Sequence, residues 1–356
     1  MIDIIYVCPF PLTNEIYNYY LKILELVEIE NPERRFTIVV PENYTKFAPH
    51  MSLSCALLYS PSALNKIREI INGKQAYIVP GRINEADFHL SIAIGVPIFS
   101  GDPHITKVFS TKSGAKRIFQ KADVPMPIGA YDLYTREDFC QQLTKLIANN
   151  LYINTWIFKI DNEFMGRGHA SLNVETIKTI IELRKKKVDM TESIIKKLQD
   201  VITKILPKKV KIAMPSLFKT FDSYMEKFCK HGGVIEAAPL CPASKVSSPS
   251  IAFMIEPDGE IEIIGSYDKF YATEYVNAGC FFPQTSLPAM NLHTLCESVA
   301  NVLYEKGMIG HVTIDLVSFP NPSDPNAHPL FWAVDINNEL SENAAISSFF
   351  DILMEG

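Results

Sequence analysis

Residues 156–168 read Trp-Ile-Phe-Lys-Ile-Asp-Asn-Glu-Phe-Met-Gly-Arg-Gly. The first five positions, Trp156–Ile160, have the bulky apolar character of a buried strand, with Lys159 inside it. A lysine there must find a counter-charge, because an unpaired ammonium is costly to bury. Gly166 and Gly168 follow it at seven and nine positions. A strand lysine followed by a glycine-bearing loop is the pattern of a phosphate cradle. The same residues also fit a hairpin turn beside a lysine that reaches solvent.

Toward the N-terminus the chain alternates. Ile2–Cys8, Arg35–Val40, Gln75–Val79 and Val96–Phe99 read as apolar strands; Thr13–Glu28, Ser62–Ile71 and Asn84–Ile94 read as helices. Continuously apolar strands alternating with helices predict a parallel sheet covered on both faces, a Rossmann-like unit over residues 1–100. The loop after its first strand, CPFPLTN, carries no GxGxxG, which argues against a dinucleotide site there. Residues 111–121 form a further helix, and Lys112 at its start, beside free backbone N–H groups, is a candidate phosphate contact. Helices are also expected at Asp138–Ala148 and across 176–206. That second stretch is rich in lysine: ten Lys or Arg from Arg184 to Lys211 face three acids, Asp189, Glu192 and Asp200. It fits a solvated helix face, or a patch for an acidic partner.

Toward the C-terminus short strands dominate, at Val234–Ala237, Ile251–Ile255, Ile261–Ile264, His311–Val317 and Phe331–Ile336. Glu256-Pro-Asp-Gly259 supplies a tight turn, and Leu292–Lys306 is an amphipathic helix. This half is therefore α+β with antiparallel strands, against the α/β lead. Asp315 lies in one strand, and Asp335 and Asn337 share a face of another. If the strands pair, two carboxylates and an amide oxygen meet, hard ligands suited to Mg²⁺.

Composition narrows the function classes. With 34 Lys+Arg against 40 Asp+Glu the net charge is −6, which argues against general nucleic-acid binding. No apolar run reaches the roughly 18 residues of a membrane span. The N-terminal MIDIIYVCPFP lacks the basic region and cleavage site of a secretory signal. The seven cysteines form no CxxC and read as reduced structural thiols of a cytoplasmic protein; the histidines show no metal-cage spacing.

Taken in order, Lys112, Lys159, the glycine loop, Ile235-Glu236-Ala237 and D…DxN resemble the layout of the ATP-grasp superfamily, which includes biotin carboxylases, carbamoyl-phosphate synthetases and D-alanine–D-alanine ligases. The stretch TKSGAKRIFQKADVPMPIG at 111–129 is similar to that superfamily's lysine–helix–GVPxPxG element. More narrowly, AYIVPG, STKSGAKRIF, GGVIEA, IEPDGEI, FPQTS and IDLVSF resemble the ATP-grasp region of the IQ motif-containing protein H family over essentially the whole chain.

The resemblance implies a Rossmann-like pre-ATP-grasp domain at 1–100 and an ATP-grasp fold at 101–356, with a lid-like subdomain about 154–233 and a metal-binding subdomain about 234–356. It implies ATP or ADP and Mg²⁺ as cofactors. Lys112 and Lys159 would hold the α- and β-phosphates under the loop Asp161–His169, with its Gly166 and Gly168. Glu236 and Ala237 would form the adenine hinge, through a carboxylate and a backbone group. Asp315, Asp335 and Asn337 would hold the metal. An active member phosphorylates a carboxylate with ATP, and an amine then attacks the acyl phosphate. The narrower family implies ciliary, flagellar or axonemal partners, and calmodulin through an IQ motif outside this chain.

Two departures bear on turnover. The loop carries acids and bulk, Asp161-Asn-Glu-Phe-Met, where the superfamily often has glycines. Asp161 and Glu163 would repel phosphates, and Phe164 and Met165 would prevent close backbone approach. Glu339 stands where carboxylase-type members carry an arginine serving the reacting acid. The expectation is a nucleotide-binding module with weak or no catalysis; the alternative is an active ATP- and Mg-dependent carboxylate–amine ligase.

Overall fold

The computed structural model describes residues 2–354 apart from 187–189, 274 and 325–326. Strands β1 (Ile4–Val7) and β2 (Phe36–Val39) pair in parallel, Ile4 opposite Phe36 and Val7 opposite Val39. Helices α1 (Asn14–Leu26) and α2 (Pro32–Arg35) connect them. Helices α3 (Leu53–Leu58), α4 (Pro61–Ile71) and α5 (Glu85–Ile94) pack over a small core of Val39, Leu57, Leu64, Ile67 and Leu90. The other two expected strands do not extend. They meet in a single parallel bridge, Ile78 with Ile98, where the Ile78 N–H donates to the Pro97 carbonyl at 2.9 Å. Pro97 has no N–H to carry the ladder on, and Pro80-Gly81 ends the first segment. The loop between Ile78 and α5 carries Arg82.

Two short steps lead into the body. Helix α6 (Pro103–Phe109) is followed by α7 (Lys112–Lys121), whose first turn is capped by Thr111: its hydroxyl accepts from the Gly114 N–H at 2.9 Å. Then comes the first five-stranded sheet. Its elements are β3 (Gly129–Leu133), α8 (Arg136–Asn149), β4 (Thr155–Ile160), β5 (His169–Asn173), α9 (Lys178–Lys186), α10 (Glu192–Lys209), β6 (Lys211–Ile212), α11 (Phe221–His231) and β7 (Gly233–Ala237). The antiparallel order is β3-β7-β4-β5-β6. Alternation sends Trp156, Phe158 and Ile160 into a core with Phe139, Leu143, Tyr224 and Phe228, and turns Lys159 to the opposite face. The sheet takes β3 and β7 from outside the expected lid limits of 154–233, so Val234–Ala237 stands beside the strand lysine rather than among the later strands. The lysine-rich stretch forms α9 and α10; its Lys187 and Asp189 lie outside the described residues.

The second sheet is built from β8 (Pro249–Ile255), β9 (Ile261–Thr273), β10 (Val276–Phe281), β11 (Gly310–Phe319) and β12 (Leu330–Asn337), with α12 (Ala289–Tyr304) and α13 (Glu342–Leu353). Its order, β10-β9-β8-β11-β12, is antiparallel throughout. One face packs Phe253, Ile314 and Ile336 against Ile118 and Phe119 of α7 and Leu295, Val299 and Leu303 of α12. Asp315 stands directly opposite Asp335, and Thr313 opposite Asn337, on the other face. Helix α7 touches both sheets. Its N-terminus is therefore held in the cleft between them.

Candidate functional site

Three lysines converge on this cleft. Lys159 Nζ lies 2.6 Å from one oxygen of Glu236, and Lys116 Nζ lies 2.6 Å from the other. In the register Glu236 faces Ile157, and Lys159 faces Val234, so the two charged groups are diagonal neighbours on one sheet face. Lys116 comes from α7, one turn after Lys112, which pairs with Asp335 of β12. The three lysines and Glu236 are buried, and Asp335 is partly so. Burial pushes the Glu236 carboxyl up, but the two ammonium groups outweigh it and hold the carboxyl down at about 2. Burial also lowers the Lys116 ammonium, an effect that Glu236 opposes.

The second sheet adds carboxylates. Asp315 accepts from Ser250 Oγ at 2.8 Å and from Asn337 Nδ2 at 3.2 Å, and pairs with Lys269 at 2.5 Å. Burial pushes its carboxyl up; Lys269 more than compensates, and the group titrates below the usual range. Burial likewise opposes the charge on Lys269, yet Asp315 raises its ammonium above the ordinary value. The three residues expected to hold a metal thus neighbour one another, with Asn337 turning its amide N–H toward Asp315. Each carboxylate presently faces an ammonium, a cation in the place where a cation is wanted.

The loop between β4 and β5 is held at both ends. The Asp161 carboxylate accepts from the Ser113 N–H at 2.8 Å and the Ser113 hydroxyl at 2.9 Å. The start of α7 is therefore not a set of free N–H groups: Asp161 and the Thr111 cap take those of Ser113 and Gly114. Glu163 lies 3.6 Å from Arg167 and 3.8 Å from Lys227. Gly166 has φ +78°, and a Cβ there would stand 1.6 Å from the Tyr275 carbonyl oxygen, so only glycine fits. A Cβ at Gly168 would stand 2.4 Å from that of Glu163. His169, opposite Lys159 in the register, buries an Nδ1 that has no hydrogen-bond partner among the described residues. Burial and the charges of Lys159 and Lys112 hold its imidazole well below the usual range, hence neutral.

Of the residues singled out in the sequence, Lys159 meets Glu236, Lys112 meets Asp335, and Asp315 and Asn337 neighbour Asp335 on paired strands; Gly166 and Gly168 lie in or beside the β4–β5 loop, and Ala237 ends β7. Both Glu236 oxygens face lysines, and the Ala237 N–H donates to the Ile128 carbonyl at 2.8 Å. The sequence reading passed over Lys116, Lys269, Ser113 and Arg82. Only Lys116 had a local signal, its spacing of four from Lys112 on one helix face. Arg82 reaches from the N-terminal unit to within 3.4 Å of Glu339 and stacks over Phe164, its Cζ 3.4 Å from the ring centroid. Lys112 Nζ lies 5.4 Å from the same centroid.

Two antiparallel sheets around a lysine-lined cleft, preceded by a small parallel unit, are the ATP-grasp architecture. The biotin carboxylase domain of the Hydrogenobacter thermophilus 2-oxoglutarate carboxylase, solved with MgADP, ADP and bicarbonate, superposes at TM-score 0.57, with 12% identity over 97% of this chain and 66% of that one. Biotin carboxylase from Campylobacter jejuni, in its β-γ-ATP complex, gives 0.55, with 14% identity over 97% of this chain and 67% of that one. At these identities the likeness shows the fold alone. The family model described as IQCH-like, ATP-grasp matches residues 103–356, and the chain belongs to that family. IQ motif-containing protein H of Danio rerio is 30% identical over 377 residues, which cover all of this chain and 35% of that protein.

Proposed function

We propose that the cleft binds the phosphates of ATP or ADP together with Mg²⁺, and that the chain serves as a nucleotide-binding module with weak or no turnover. The observation that carries this is the convergence of Lys112, Lys116 and Lys159 on Glu236 and Asp335 between the two sheets. Three buried ammonium groups, one of them on a flexible side chain at a helix start, suit a polyphosphate. Lys112 would exchange Asp335 for a phosphate oxygen, which frees that carboxylate. Asp335, with Asp315 and the Asn337 amide oxygen, then fits a divalent cation: hard oxygens on paired strands. Bound there, the metal supplies charge neutralisation on the phosphates. Titration calorimetry with MgADP tests the reading. Heat that disappears in Lys159→Ala and Asp335→Ala supports it; no heat at millimolar nucleotide overturns it.

Family membership supports a finer reading. The module would work in a ciliary or flagellar, axonemal assembly, with calmodulin engaged by an IQ motif outside this chain. Antibody localisation in ciliated cells against unciliated controls checks this.

A specific observation favours the second reading, an ATP-dependent carboxylate–amine ligase. Each acid that argued against turnover has a partner: Asp161 has Ser113, Glu163 has Arg167 and Lys227, and Glu339 has Arg82. Arg82 supplies a guanidinium on the acceptor side from a different domain. What remains against turnover is the loop itself, with Phe164 wedged between Arg82 and Lys112 and Gly166 packed on Tyr275. ADP release that depends on an added acid and amine would establish the ligase.

A further inference from the structure

Helix α10 lies on the far side of the first sheet from the lysine cleft. Its Leu198, Ile202 and Leu206 enter the core with Trp156 and Phe158, on the sheet face opposite Lys159. The rest of the helix surface exposes Lys196, Lys197, Lys204, Lys208 and Lys209. Lys197, Lys204 and Lys208 recur at steps of seven and four, so they form one stripe roughly 16 Å long. Lys209 donates to Thr176 Oγ1 at 3.3 Å. Among the described residues the other four make no hydrogen bond or ion pair, and neither does Asp200, one turn from both Lys196 and Lys204. The stripe adds nothing to the fold: like charges four apart, as at Lys204 and Lys208, repel along a helix. It is also the basic part of an acidic chain. Ten Lys or Arg against three acids give residues 184–211 a charge of +7 where the chain totals −6, so the remainder carries −13.

We infer that this stripe docks an acidic segment of another polypeptide, a run of glutamates and aspartates in extended form. Charge complementarity selects the occupant, since the stripe offers ammonium groups that nothing in the chain neutralises. The spacing suits it too. The step from Lys204 to Lys208, roughly 6 Å, matches the roughly 6.6 Å between side chains on one side of an extended chain. Nucleic acid fits less well. Residues 165–217 contain no Phe, Tyr or Trp to stack on a base. Arg184, the one arginine of the basic stretch, donates instead to the Leu151 and Ile153 carbonyls at 2.6 and 3.1 Å. A duplex would also run beyond the stripe onto the acidic remainder of the chain. A membrane surface fits less well again. Among the described residues of α9 and α10 no large apolar side chain is exposed, so neither helix has anything to insert. The inference stands apart from the nucleotide reading and does not depend on it.

The experiment follows the anisotropy of a fluorescein-labelled peptide of about ten glutamates, long enough to span the stripe, as the whole chain is added. The peptide should bind at low salt and bind more weakly as salt rises. The triple variant Lys197→Gln, Lys204→Gln, Lys208→Gln should bind it about tenfold more weakly, the combined loss of three exposed ion pairs. A control triple of exposed lysines elsewhere, Lys22→Gln, Lys245→Gln, Lys306→Gln, removes the same charge. It should stay within about twofold of wild type. Glutamine is nearly as good a helix former as lysine, so the stripe variant should melt with wild type or slightly above it. The inference is overturned if the peptide does not bind, or if both triples weaken it equally, which is an effect of net charge alone. It is also overturned if a single-stranded oligonucleotide of equal charge, or a phosphatidylserine vesicle, binds more tightly than the peptide and is released by the stripe substitutions.

Discussion

Two ion-pair clusters of the molecule differ in burial. On the nucleotide side Lys116, Lys159 and Glu236 are buried, each between 3% and 6% exposed, and Glu236 is held by two ammonium groups 2.6 Å away. Beside the β4–β5 loop Arg82 and Glu339 are 3.4 Å apart, with side chains 52% and 30% exposed. The contrast separates two uses of charge. A buried cluster is costly to break, so it sets the geometry of the sheet and helix that carry it. A half-exposed pair contributes little to stability, and its partners can turn to a ligand at small cost.

Substitutions should expose this difference. The largest effect is expected at Glu236. Glu236→Gln leaves two buried lysines with a neutral partner and should destabilise the fold by about 3–5 kcal/mol, read by urea unfolding. The pH profile follows from the same group. Its folded carboxyl titrates near 2, below the ordinary 4.5, so its stabilisation is fully present above pH 4.5 and fades as pH falls toward 2. Wild type should lose its advantage over Glu236→Gln across that window. Equal losses in both proteins would show that another acid controls the transition.

Next in size is Lys159→Ala, which should weaken MgADP binding by about 30- to 100-fold, since it removes a charge-assisted contact in a buried site. Gly166→Ala places a methyl against the Tyr275 carbonyl at positive φ and should cost about 1–3 kcal/mol, seen as a lowered melting temperature. The smallest effect on stability belongs to Arg82→Gln, within about 0.5 kcal/mol of wild type by the same unfolding assay. A loss at Arg82 comparable to that at Glu236 would abolish the distinction between the clusters.

Much of this site was legible in the sequence because it is carried by strands. A lysine among apolar strand residues must find a counter-charge, and Lys159 finds one in Glu236, itself part of a short apolar strand. Asp315 and Asp335 were placed on strands whose pairing brings them face to face. What was not legible depends on distant chain. Arg82 is more than 250 positions from Glu339 in sequence, and no local pattern announces their meeting. Lys269 lies in the half of β9 beyond its expected end at Ile264. The pairing of Asp161 with Ser113 could not be read from a loop whose acids seemed aimed at phosphates. In the N-terminal unit the periodicity was right for the helices, while two expected strands shrank to one bridge because proline removes the N–H that a ladder needs.

The central claim is that the lysine–carboxylate cluster is a phosphate site. A crystal grown with MgADP tests it most directly. Phosphate density is expected between Lys159 and Asp335, with the Lys112 ammonium moved from Asp335 onto a phosphate oxygen. Nucleotide bound elsewhere, with Lys112 still on Asp335 and the cleft unchanged, would contradict it.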